Sequence, residues 1–435
     1  MLPRLLLTIL ALSLASPALA DAVIYEGTLG TARIIVELSA PPETARSVVG
    51  RYAYMNKGID IPLDAVIQPA GRLDLIEEKP CTIKLCHTDD NGDPKGPAPV
   101  GAKWNLAPAK EGATVIGTWS SGGKVLKLSL TRVATRPLPA DFDGTPAGLE
   151  AIVLDLASGQ QPVTAQVSPY DYTRLTEGPV QPGDATTWPG GGFQYITDLR
   201  TKFPFPAVTG LNGDDVAPVN AYLSARHAQL NADALSCEAR QFQGLGWNEM
   251  TAEAVGTLGG YEDEQVTVTY LSPTLMSWNE SGSLFCGGAH PDNHDTPYTL
   301  DVRAGKLLDL SLIFKGWVPT PIEDGKPTDL ATARAHPEDY QWGPDKALAD
   351  FVTAHLPADI KTAETDSDPG CGAPENITGN LAISFLAGDR VRFSLANMPN
   401  VAAVCDAPLF DLPIAEVSPL LTPGAKAYFT GLGDK

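Results

Sequence analysis

The sequence is poor in basic side chains. Its 435 residues include 31 lysines and arginines against 52 aspartates and glutamates, and the formal net charge at pH 7 is −21. Such a surface repels nucleic-acid phosphates and anionic lipid headgroups, so neither is expected as a partner. The same charge attracts a basic protein over long range. Acidity also serves solubility, so the charge narrows the class of partner without identifying one.

Long apolar runs are scarce as well. The first mostly apolar run, residues 5–14, is too short for a membrane span, which needs about 20 apolar residues. It follows Arg4 and precedes Ala18-Leu19-Ala20, a small-x-small cleavage pattern. This arrangement predicts a signal peptide over residues 1–20. We therefore expect a periplasmic or secreted protein, with no membrane insertion after cleavage.

Familiar catalytic motifs are missing. The sequence contains no Gly-x-Ser-x-Gly elbow, no His-Glu-x-x-His pair and no phosphate-binding loop. Paired carboxylates remain an open alternative, because a sequence with 52 acidic residues does not give their separations.

The six cysteines predict disulfide bonds, because an exported chain folds in an oxidising compartment. Six cysteines allow 15 pairings. We expect Cys81–Cys86 as a local bridge, Cys237–Cys286 between a helix end and a loop, and Cys371–Cys405 across the C-terminal strands. A disulfide sulfur is not a thiolate, so none is a candidate nucleophile.

Residues 22–133 predict short antiparallel strands. Leu73 and Leu75 alternate with polar neighbours, as do Leu126, Leu128 and Leu130, and glycine-containing turns separate the runs. This pattern favours a β-meander, either a small barrel or a curled sheet.

Beyond residue 150 the pattern becomes α+β. A helix is expected to start at Asp214 or Asp215, with His227 packing beside its apolar stripe, and a second helix is expected over 345–356. Strands are expected at 266–270, 282–286, 298–302 and 306–312, with hairpin turns at 304–305 and 387–389.

The predicted organisation is therefore α+β, with an antiparallel barrel-like domain followed by helices packed on an antiparallel sheet. The expected divisions are a signal peptide at 1–20, the β domain at 21–138, a linker and irregular entry segment at 139–194, and the α+β domain at 195–435.

One stretch concentrates metal-ligating residue types. Residues 285–295, FCGGAHPDNHD, include two of the six histidines. His290, Asp292 and His294 are the candidate metal ligands, but the glycines and Pro291 prevent the helix that would align the histidines. The favoured interpretation is a sharp turn ordered by His290, with no metal and no cofactor.

Residues 89–93 resemble the start of a calcium loop but lack its later glycine and glutamate, so a turn is expected there.

The same region resembles a known family. The stretch 287–314, GGAHPDNHDTPYTLDVRAGKLLDLSLIF, is similar to the C-terminal extracytoplasmic domain of RsiV-type anti-sigma factors, which bind lysozyme. That domain also accompanies some peptidoglycan deacetylases. The resemblance covers about residues 195–425 and rests most on the family-motif loop Gly287, Gly288, Ala289 and His290. It implies a helix packed on an antiparallel sheet.

The chain departs from that family in ways that limit the transfer of function. Its start predicts a cleavable signal where those proteins have a membrane anchor, and we expect neither a cytoplasmic segment to hold a sigma factor nor a deacetylase catalytic domain. We therefore expect a non-enzymatic cell-envelope binding protein, with a basic protein such as lysozyme as partner. A cell-wall-active hydrolase and a carbohydrate-binding module stay open. The latter would use exposed tryptophans among Trp188, Trp247, Trp278, Trp317 and Trp342, although a tryptophan more often fills a core.

Overall fold

A computed structural model describes most of the chain. The described residues are 21–40, 48–66, 73–82, 84–88, 94–108, 114–138, 141–149, 163–244, 261–286, 291–322, 329–361, 371–429 and 432. The predicted signal peptide, the Gly287–His290 motif loop and residues 89–93 lie outside them.

The N-terminal part is a closed eight-stranded antiparallel barrel in the order β1-β10-β9-β8-β5-β4-β3-β2. The predicted antiparallel β-structure is thus confirmed, as a barrel and not a curled sheet. Its strands are β1 Asp21–Leu29, β2 Ala32–Leu38, β3 Gly50–Tyr54, β4 Ile61–Val66, β5 Leu73–Glu78, β8 Val100–Pro108, β9 Thr114–Ser121 and β10 Lys124–Pro137. The short pair β6 His87–Thr88 and β7 Pro94–Lys95 interrupts the connection from β5 to β8.

Side-chain alternation explains the barrel. In β5, Leu73, Leu75 and Glu77 are buried, whereas the residues between them are partly exposed. Leucine, valine and aromatic side chains from all eight strands fill the interior, as expected for a barrel this narrow.

A buried charge network covers one side of the barrel's outer wall. Arg51 on β3 donates to Glu37, Asp60 and Asp171 through Nε, Nη1 and Nη2 at 2.8, 2.8 and 2.7 Å. Asp171 belongs to helix α1, Pro169–Thr176, whose Tyr170 ring lies 4.3 Å from the Arg51 guanidinium carbon. The network therefore anchors α1 to the barrel.

The next layer joins a small sheet, a long helix and a second sheet. Helix α2 covers one face of the second sheet, where Val266, Val268 and Trp278 meet Val219 and Leu223. The elements are β11 Val180–Pro182, β12 Thr186–Trp188, β13 Gly191–Asp198, β14 Pro204–Gly210, α2 Ala217–Gln243, β15 Tyr261–Leu271, β16 Leu275–Leu284, β17 Asp292–Asp301 and β18 Lys306–Leu307.

The C-terminal part covers the other face of that sheet. Tyr270 and Leu275 share a core with Phe385 and Phe393. The elements are β19 Trp317–Pro321, α3 Leu330–Ala335, β20 Tyr340–Pro344, α4 Lys346–His355, α5 Ala358–Lys361, α6 Ala373–Asn380, β21 Leu381–Leu386, β22 Arg390–Leu395 and β23 Ala407–Pro413.

Two local expectations were wrong. Residues 292–295 were expected in a turn but open strand β17, because they pair with residues 281–284 of β16 and Asn279 donates to Asp295. Residues 306–312 were expected as one strand, but only Lys306–Leu307 pairs with β17. Asp309 then accepts from the backbone N–H of Ser311 and caps a 3-10 turn, Leu310–Leu312.

Other local predictions agree with the structure. Helix α2 begins at Ala217, which donates its backbone N–H to the Asp215 carboxylate. Helix α4 lies within the predicted second helix. Hairpins form at residues 304–305 and 387–389, where Gly305, Gly388 and Asp389 have positive φ. By contrast, the segment 139–194, which was expected to be a linker and an irregular entry segment, contains α1, β11, β12 and the start of β13.

All three predicted disulfides are present: Cys81–Cys86, Cys237–Cys286 and Cys371–Cys405. Such bonds are typical of proteins that fold outside the cytoplasm. Among the described residues, no helix combines the length and apolar character needed to cross a bilayer.

Replacing Arg51 by methionine should destabilise the protein strongly, because three buried carboxylates lose their shared counter-charge. We expect a loss of about 3–5 kcal/mol in the free energy of unfolding. Denaturant titration measures it.

The matched control is Arg33→Ala, which breaks an exposed ion pair with Glu177. We expect a change of about 0–1 kcal/mol there. Similar small losses in both variants would contradict the anchoring role of Arg51.

Candidate functional site

A cleft lies where turns from three parts of the fold meet. Its volume is about 590 Å³. The turn between β15 and β16, the β21–β22 hairpin and the C-terminal 3-10 turn Pro423–Ala427 contribute to its lining. The lining residues are 188–190, 212, 270–274, 303, 387–389 and 426–428.

Local hydrogen bonds hold these turns in shape. The Ser272 hydroxyl accepts from the backbone N–H groups of Thr274 and Leu275, which closes the β15–β16 turn. The Thr274 hydroxyl donates to the carbonyl of Tyr428 at 2.8 Å and ties that turn to the C-terminal segment. The cleft is therefore preformed.

Two tyrosines in the lining are fixed by carboxylates. Tyr270 donates to Asp389 at 3.0 Å, and Tyr428 donates to Asp301 at 2.9 Å. Burial and, secondly, the neighbouring carboxylate raise the pKa of Tyr270 to about 12. Burial and the Asp301 hydrogen bond do the same for Tyr428. Both hydroxyls thus stay protonated and serve to orient their rings.

The cleft also carries positive charge, which is unusual on so acidic a protein. Arg303 and Lys426 line it and are exposed. No salt bridge in the described part of the chain involves Arg303. The partly buried Trp188 also lines the cleft, with its ring centroid 6.0 Å from that of Phe193. The arrangement suits a ring-bearing ligand with an anionic group.

The candidate metal ligands, for which a turn without metal was the favoured interpretation, lie elsewhere, at the far end of the second sheet. Asp292 is exposed at the start of β17, and His290 is outside the described residues. His294 Nε2 lies 2.9 Å from Glu264 Oε2, and its ring also hydrogen-bonds to the backbone of Asp292. The imidazole ring of His294 therefore already forms hydrogen bonds with protein groups in this arrangement.

Gly282 makes the His294–Glu264 pair possible. These residues belong to β17 and β15, and Gly282 lies between them on β16, directly opposite His294. A Cβ at position 282 would lie 2.3 Å from Glu264 Oε2. The missing side chain lets the carboxylate reach across the middle strand.

Further acidic side chains lie nearby. Glu280 accepts from Arg226 and from the indole of Trp278. Burial raises the pKa of Asp233 to about 7, although the positive charge of Arg226 acts to lower it. In the described residues, three or more potential metal-ligand side chains converge at His336, Glu338 and Asp339, which are all exposed.

The sequence analysis had named some of the residues and turns that line the cleft. It named Trp188 as an aromatic candidate and placed hairpin turns beside Arg303 and at Asp389. It missed Tyr270, Tyr428 and Arg303 themselves, which carry no motif. His227 packs as expected: its ring stacks on Phe205, and its Nε2 lies 3.0 Å from the carbonyl of Phe203.

No family model and no curated protein matches this chain. The likeness to RsiV-type extracytoplasmic domains therefore remains a prediction.

Removing His294 should change how stability depends on pH. Burial acts to lower the pKa of His294, but the hydrogen bond and charge of Glu264 raise it above its usual value. The folded state then binds this proton more tightly than the unfolded state does. The stabilisation is complete below about pH 6.5 and is lost as pH rises through the folded pKa.

We therefore expect His294→Gln to flatten the decline in the free energy of unfolding above about pH 6.5. Denaturant titrations across a pH series measure it. The control His336→Gln changes an exposed histidine and should keep the wild-type profile. Parallel curves for His294→Gln and wild type would refute the prediction.

Proposed function

We propose that this is a non-enzymatic binding protein that acts outside the cytoplasm, and that the cleft holds its ligand. The observation that carries the proposal is the convergence of Trp188, Tyr270, Tyr428 and Arg303 on one preformed cleft of about 590 Å³. Small-molecule sites commonly have this size and combine a mostly apolar lining with a few polar groups.

The lining favours an acidic sugar over a wholly apolar ligand. Aromatic rings stack on the apolar faces of sugar rings, and a guanidinium forms strong hydrogen bonds to a carboxylate. A cell-wall saccharide with a carboxylate, such as one containing N-acetylmuramic acid, has both features. The three disulfides are consistent with a location where such a ligand occurs.

A binding role is favoured over hydrolysis because the reactive groups of the cleft already have partners. Asp389 accepts from Tyr270, and the hydroxyls of Ser272 and Thr274 bond to each other and to the backbone. General acid–base catalysis needs a group that reaches the substrate. Arg303 and Lys426, by contrast, are exposed in the lining of the cleft.

Titration calorimetry with a muramic-acid-containing saccharide tests the cleft. Trp188→Ala and Arg303→Ala should each weaken binding by about tenfold, because each removes one stacking or charge-assisted contact. Arg132→Ala, which removes an exposed cation on the barrel, should bind like wild type. Absence of saturable binding, or equal affinity in all variants, would count against the proposal.

A basic protein such as lysozyme is a second candidate partner, favoured by the net charge of −21. Pull-down and calorimetry at low and high salt test it. Association that rests on surface charge should weaken steeply between low and high ionic strength, because exposed charges are screened. An uncharged protein of similar size serves as control, and salt-independent or absent binding of lysozyme would remove this candidate.

A further inference from the structure

A carboxylate lies at one end of the barrel interior, far in sequence from the residues of the cleft. Glu77 continues the inward-facing series of β5 after Leu73 and Leu75, and it is only 8% exposed. It lies near the end formed by the last residues of β1, β3, β5 and β9. We call this end the barrel mouth.

The Glu77 carboxylate receives neutral hydrogen-bond donors. The indole N–H groups of Trp104 and Trp119 both donate to Oε2, each at 2.7 Å. The Tyr52 hydroxyl lies beside the carboxylate, and among the described residues no cationic side chain pairs with Glu77. Its negative charge therefore has hydrogen-bond donors but no counter-charge.

Other buried acids of the barrel are neutralised. Glu37 pairs with both Arg51 and Arg136, and Asp60 pairs with Arg51 and Arg174. Burying a charge without a partner of opposite sign is costly, so the exception at Glu77 calls for a counter-charge from outside the chain.

Aromatic rings line the same place. The ring centroids of Tyr52 and Trp104 are 4.8 Å apart, and those of Tyr52 and Tyr54 are 5.5 Å apart. The fully buried Tyr52 hydroxyl makes no well-aligned hydrogen bond to a described residue, although it lies beside Glu77 and Tyr54. Tyr54 and Trp119 are half-buried at the mouth.

We propose that the barrel mouth binds a cationic group, an ammonium or a guanidinium, that pairs with the Glu77 carboxylate among these aromatic side chains. Aromatic rings attract cations, and a carboxylate forms its strongest hydrogen bonds with charged donors. This site differs from the cleft in charge and position. Its test is independent of the function proposed for the cleft.

Nuclear magnetic resonance of the indole N–H groups tests the site, with ethylguanidinium, propylammonium and tetramethylammonium as probes. Saturable shifts of the Trp104 and Trp119 signals are expected for at least one cation, and none for tert-butanol. Trp119→Phe identifies one signal. Comparison of the three probes shows whether the site selects hydrogen-bonding cations or accepts a quaternary ammonium.

Glu77→Gln should weaken cation binding by about tenfold or more, because the amide oxygen keeps both indole bonds but carries no charge. Glu26→Gln removes the same charge from the barrel exterior and should bind like wild type. Trp119→Leu, which keeps Glu77, should weaken tetramethylammonium binding in particular. Equal binding by Glu77→Gln and wild type, or no saturable shift with any probe, would overturn the proposal.

Discussion

The architecture depends on one guanidinium. Arg51 donates to acids on three separate segments, namely Glu37 on β2, Asp60 before β4 and Asp171 on α1. Tyr170 and Arg174 complete the contact, since each also reaches Asp60. Because all these groups are buried, loss of Arg51 removes a counter-charge that Glu37, Asp60 and Asp171 share, and the geometry is held tightly.

Helix α1 transmits this anchoring to the rest of the fold. Its Leu175 packs against Ala232 and Leu235 of α2, and Arg200 donates to the carbonyl of Arg174. Helix α2 in turn covers the sheet whose opposite face packs on the C-terminal strands. The cleft lies where the turns of these packed layers meet, so rigid cores position side chains that would be mobile on an isolated loop.

Two candidate sites of opposite character result. The cleft presents exposed cations beside aromatic rings, whereas the barrel mouth presents a carboxylate beside aromatic rings. In a chain with a net charge of −21, the cations of the cleft would favour an anionic group against the negative field of the whole protein. The negative charge of the whole protein has the same sign as the carboxylate at the barrel mouth, so both would attract cations.

Local signals in the sequence determined the alternation of Leu73, Leu75 and Glu77, the apolar stripe of α2 and the glycine-dependent hairpins, because each depends on neighbours a few residues away. The disulfide pairing was also predicted. The tertiary structure alone decided that residues 292–295 extend a strand, since their partners lie on β16 and the pairing is non-local. It also decided that Tyr270, Arg303 and Tyr428 share a cleft, and that Glu77 faces Trp104 and Trp119. Such contacts join residues far apart in the chain. They therefore leave no periodic pattern in the sequence from which they could be predicted.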